Sequence, residues 1–175
     1  MDLYSLLDTI VKIGLGAAIS GAITYHLAKL AHERELKKIG AVRRMESLEK
    51  ASERAEQYFF GWRQLSSSLG GIFKGRNAPG SEFSDAQWKL IKARDKNLLE
   101  AREHLHQVIA RLRLLGGSAA ADCLVEMNRV IGEFRDPMIL QRTTPKAEQF
   151  KDARAKVNDL AKTFHQEMHS LYAQI

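Results

Sequence analysis

One hundred and seventy-five residues, 45% hydrophobic and 27% charged, make about one domain of ordinary globular composition and exclude a disordered or collagen-like polymer. Three prolines among long stretches of Ala, Leu, Glu, Lys and Arg argue against a turn-rich β-sandwich and predict an all-α fold. Cys123 is the single cysteine, which excludes an internal disulfide framework, and the net charge of +6 matters for where it falls along the chain.

The first element is apolar. From Ile13 to Tyr25 no residue is charged, although this run alone covers only about 20 Å of a ~30 Å hydrocarbon core. Extended from Leu3 to Leu30 it reaches about 42 Å and takes in Asp8, Lys12, His26 and Lys29. Asp8 and Lys12 stand one helical turn apart in the favoured acid-first order, and Lys12 and Lys29 can snorkel to the two interfaces. A cleavable signal peptide would want basic residues ahead of the apolar run, where this chain has Asp2 and Asp8.

Basic residues follow the run instead. Lys29, Arg34, Lys37, Lys38, Arg43 and Arg44 stand against Glu33 and Glu35, a net +4 directly behind the apolar segment and a match for anionic headgroups. The positive-inside rule then predicts a single-pass anchor over residues 1–30 in the inner (cytoplasmic) membrane, with the N-terminus outside and residues 31–175 in the cytoplasm. On a helical wheel Gly14, Ala17, Ala18 and Gly21 gather on one side, the small-residue pattern that lets membrane helices pack closely and predicts a homo-oligomer. Asp8, Lys12 and His26 gather on roughly the opposite side, where they would line the lumen if the oligomer were a pore.

Beyond the anchor the sequence predicts a continuous helix to about Leu69, with Leu48, Ala51, Ala55, Tyr58, Phe59, Trp62, Leu65 and Leu69 as its buried stripe. Gly70, Gly71, Gly75, Asn77, Pro79 and Gly80 then read as a loop. Ser84 and Gln87 form a capping box that opens a helix running to Leu115, stopped by Gly116-Gly117. Ser118 is expected to cap a shorter helix ending near Asp136-Pro137, and Thr144-Pro145 to open the last one. Four amphipathic stripes with short connections predict an antiparallel bundle of about four helices, a surface for a protein partner as well as for self-association.

Residues with chemistry are few. His165 and His169 share a helix face but leave a metal short of ligands, and Glu103-His104-Leu105-His106 supplies one Glu-x-x-His where a di-iron bundle needs two. Tyr58, Phe59 and Trp62 lie on the apolar stripe among Glu53 and Glu56, which argues against nucleic-acid binding. The expectation is therefore a non-enzymatic protein with no cofactor, metal or catalytic residue, and with Cys123 as a small core side chain.

The joint Ala110-Arg111-Leu112-Arg113-Leu114-Leu115-Gly116-Gly117-Ser118, together with the apolar anchor and the basic stretch behind it, resembles bacterial single-pass helical-bundle proteins of uncharacterised function. In layout the chain is also similar to small membrane accessory proteins of RNA-targeting CRISPR systems. That second resemblance implies an oligomeric membrane pore or membrane-perturbing effector in antiviral defence. It departs from nuclease-derived relatives of that group, because no His follows an Arg by five, six or seven positions; Arg102 and His106 come closest.

Overall fold

The computed structural model describes residues 3–74 and 80–175, with side chains from residue 20 onward. The described residues are all-α in five helices: α1 (Leu3–Lys74), α2 (Asp85–Glu103), α3 (Leu105–Leu114), α4 (Ser118–Gln141) and α5 (Ala147–Tyr172). The chain divides into two compact units, Met1–Arg43 and Arg44–Ile175. Among the described residues no helix is long and apolar enough to cross a membrane. The expected anchor falls largely outside that test, because the side chains of its first nineteen residues lie outside the described ones.

The second unit is the expected bundle. Leu98 packs on Gly61 and Arg94 bonds to Gln64, so α2 runs against α1, and Arg54 to Gln107 extends that direction into α3. Tyr58 to Asn128 and Trp62 to Phe134 set α4 alongside α1 in the same direction. Phe59 to Phe164 and Phe73 to Phe150 set α5 against it. The topology is up-down-up-down, with α2 and α3 together forming one leg. All eight residues of the expected α1 stripe are buried, and Trp62 and Tyr58 are its largest members. Each buried leucine or phenylalanine on it contributes on the order of 1.5–3 kcal/mol by leaving water, the two alanines less.

Several boundaries differ from expectation, and the core explains most of them. Gly70 and Gly71 lie inside α1: Ile72 is buried and Phe73 stacks on Phe150 at 5.2 Å, which offsets the ~1 kcal/mol that each helical glycine costs. The helix opened by the Ser84 capping box, which forms as expected, is interrupted at His104. Val108 N–H still reaches the His104 carbonyl at 3.2 Å, so Leu98 and Leu105, seven residues apart, both stay buried.

At the next joint Gly117 N–H bonds to Leu112 O at 2.8 Å and Gly116 N–H to Arg113 O at 3.1 Å, a Schellman turn with Gly116 at φ 84. Ser118 does not cap; Gly117 takes the cap position and Ser118 is the first helical residue. Nor does Pro137 end α4, which runs on to Gln141. Its missing N–H leaves the Glu133 carbonyl without that bond, while Met138, 2% exposed, keeps the following turn in the core. Thr144 is not a cap either. It is buried, with its N–H on the Ser81 carbonyl at 2.8 Å, and α5 begins after Lys146, whose N–H bonds to Gln149 Oε1 at 3.4 Å.

Candidate functional site

The expected site residues fall into two groups. Asp8, Lys12, Gly14, Ala17 and Ala18 lie outside the described side chains. Gly21 is exposed, with no atom within 4 Å of where a Cβ would stand, and His26 is exposed with its ring edge-on to Tyr25 at 6.0 Å. Residues 20–40 are exposed throughout. That stretch includes Ile23, Leu27, Leu30, Leu36 and Ile39, interleaved with the exposed cations Lys29, Arg34, Lys37 and Lys38; Arg43 is exposed as well.

Arg44, grouped with these cations in the sequence, is engaged elsewhere. It is half-buried, and its Nη2 donates to the Leu115 carbonyl at 3.0 Å. That carbonyl closes α3 just before the left-handed Gly116, at the negative end of the helix, where a guanidinium is favoured. Gly117 beside it is in close contact: a Cβ there would stand 2.6 Å from Leu171 Cδ1. Arg44, the α3–α4 turn and the end of α5 thus meet at one end of the bundle. The sequence signal that could have found Arg44 is its place four residues, one helical turn, before Leu48, in line with the buried stripe.

Among the described residues the buried Trp62 Nε1 and Arg44 Nε have no hydrogen-bond partner, whereas other polar groups inside the bundle are paired. Asp95, 6% exposed, takes Arg135 in a two-pronged ion pair through Nε and Nη2, and Arg135 also reaches Asp136. The Asp95 hydrogen bond holds the guanidinium charged despite burial. Tyr58, wholly buried, donates to Asn128 Oδ1 at 3.2 Å, and desolvation pushes its hydroxyl well above the ordinary phenol range. Burial, then the Glu167 and Asp122 charges, push the Cys123 thiol up, which fits a core side chain and not a nucleophile. His165 Nε2 lies 2.7 Å from Glu56 Oε1 and its ring leans on Phe59. Among the described residues no three His, Cys, Asp or Glu converge as metal ligands.

No family model, curated protein or solved structure matches this chain. Its chemistry is read from its own residues.

A recess opens between two helices of the bundle unit. A cleft of about 480 Å³ separates the second half of α4 from the first half of α5, at the end away from Arg44. Val130, Phe134, Pro137 and Met138 form its apolar side, with Lys146 and Asp152 on the α5 side. Glu133 and Lys156 also line it, and with Glu126 and Arg129 they form an ion-pair chain that ties α5 to α4. Hydrogen bonds from Arg129 and then Lys156 hold the Glu126 carboxyl down at about 2. The volume and mixed lining are those of a small recognition cleft.

Proposed function

We propose that this is a non-enzymatic, single-pass membrane protein whose cytoplasmic helical bundle mediates oligomerisation and partner binding. The reading is carried by one observation: residues 20–40 are exposed throughout while carrying Ile23, Leu27, Leu30, Leu36 and Ile39. Exposed apolar residues at that density need lipid or another chain to cover them. The uncharged run from Ile13 to Tyr25 continues that stretch toward the N-terminus, and the net +4 that follows suits an anionic leaflet. In this reading residues 1–30 are the anchor and Gly14, Ala17, Ala18 and Gly21 its packing face. Lys29, Arg34, Lys37, Lys38 and Arg43 serve the headgroups, without Arg44, whose guanidinium is spent on Leu115.

The bundle's internal pairing supports a rigid binding platform, with the α4–α5 cleft as the recess on offer. Replacing Gly14 and Gly21 together with Ile tests the packing face. The mass of the detergent-solubilised protein is expected to fall to that of a monomer, and an unchanged multimer would remove the small-residue face from the account.

A further inference from the structure

Phe60 is an aromatic side chain in α1 that the core does not use. It is 54% exposed, while Tyr58, Phe59 and Trp62 around it are buried. At this level α1 and α2 approach closely, because Gly61 has no side chain: a Cβ there would stand 3.1 Å from Leu98 Cα. Two recesses of about 330 Å³ each lie along the groove between the two helices, and the Phe60 ring and Gln64 line both. The first adds Gln57, Asn97, Glu100 and His104. The second, further along α1, adds Arg63, Ser67, Ser68 and Arg94.

We propose that this groove binds a mononucleotide, its base stacked on Phe60 and its phosphate among Arg63, Arg94, Ser67 and Ser68. Arg94 is half-buried and held in place, Nη1 donating to Gln64 Oε1 at 3.1 Å, so its guanidinium is set before a ligand arrives. Arg63 is exposed and only loosely engaged, 3.4 Å from Glu56, whose other oxygen lies 2.7 Å from His165. Two guanidiniums and two hydroxyls offer more donors than a carboxylate can use and suit the three oxygens of a phosphate. Glu100 at the opposite end, with Lys96 at 3.8 Å, repels a phosphate and accepts from sugar hydroxyls, which fixes the orientation. The lining also excludes other occupants. A partner helix would want an apolar seam, and a nucleic-acid strand would want several rings for successive bases. The groove has one phenyl ring among polar side chains.

The test is isothermal titration of the detergent-solubilised full-length protein with AMP, and with adenosine and inorganic phosphate separately. AMP should bind at least about fivefold more tightly than either part, since ring and cations act together. Phe60→Ala, at an exposed position that leaves the core intact, should weaken AMP at least about fivefold, and Phe60→Trp should keep it. Arg94→Gln, and Arg63→Gln at an exposed position, should weaken AMP and leave adenosine unchanged. Lys92→Gln, on α2 outside both recesses, should change neither. AMP binding equal in wild type and Phe60→Ala would overturn the proposal, as would no AMP binding at millimolar concentration. A loss in Lys92→Gln as large as in Arg63→Gln would mean diffuse attraction of an anion and overturn it too. Single-stranded RNA that binds more tightly than AMP, and loses that binding in Phe60→Ala, would make the ring a platform for a strand and contradict a mononucleotide site.

Discussion

Arg44 Nη2 donates to the Leu115 carbonyl at 3.0 Å, tying the residue with which the bundle unit begins to the end of α3. Arg43, its neighbour with the same charge, is exposed. Two adjacent arginines therefore do different work, one holding the fold and the other facing outward.

Arg44→Ala should destabilise the bundle by about 1.5–3 kcal/mol, the range for a hydrogen bond from a charged donor. Arg43→Ala should fall within about 0.5 kcal/mol of wild type. Thermal unfolding of the full-length protein followed by circular dichroism would separate the two, and equal effects would contradict the distinct roles.

The glycines give an opposed pair. Gly117→Ala pushes a methyl group to 2.6 Å from Leu171 Cδ1 and should cost on the order of 1–3 kcal/mol as overpacking. Gly132, inside α4 with open space around it, should gain up to about 1 kcal/mol as Ala, through helix propensity. Denaturant melts would show opposite shifts in midpoint.

Removing one side of the buried pair leaves the other without its partner. Asp95→Ala should therefore cost about 3–5 kcal/mol. The double variant Asp95→Leu with Arg135→Met should recover much of that loss, because it no longer buries a lone charge. If the double variant is as unstable as the single one added to Arg135→Met alone, the two groups are not coupled in the way the geometry implies.

Glu126 supplies the pH dependence. Its carboxyl is lowered from 4.5 to about 2 in the folded state. The stabilisation it brings is fully present above 4.5 and lost as pH falls toward 2. The group is exposed, so the effect on stability is small and better read by NMR titration of its side-chain carbon. A midpoint near 2, moving upward in Lys156→Ala and further in Arg129→Ala, is expected; a wild-type midpoint at 4.5 would contradict it.

Cys123 should react slowly with a thiol reagent at pH 8 in the folded protein and fast in denaturant, because its thiol is buried and its ionisation is opposed by desolvation and by Glu167. Fast labelling without denaturant would show that α4 opens at that point.

Much of the bundle was legible in sequence because burial follows spacing. The stripe from Leu48 to Leu69 is buried as read, and the Ser84–Gln87 box forms because its two bonds are local. Misreadings came where tertiary packing overrode a local signal. Gly70, Gly71 and Pro137 read as stops, but Ile72 and Met138 each hold the next turn in the core. Thr144-Pro145 read as a cap, but Thr144 bonds to Ser81, a residue 63 positions away that no local pattern could supply. Arg44 was hidden for the same reason, its partner lying 71 positions on. Of the small-residue face only Gly21 is among the described side chains.

The central claim, that residues 1–30 anchor this chain, is tested most directly by extraction of membranes containing the full-length protein. The account predicts that it stays in the pellet through high salt and alkaline carbonate and is released by detergent. Release by alkaline carbonate would show attachment through charge or a partner alone and would contradict the anchor.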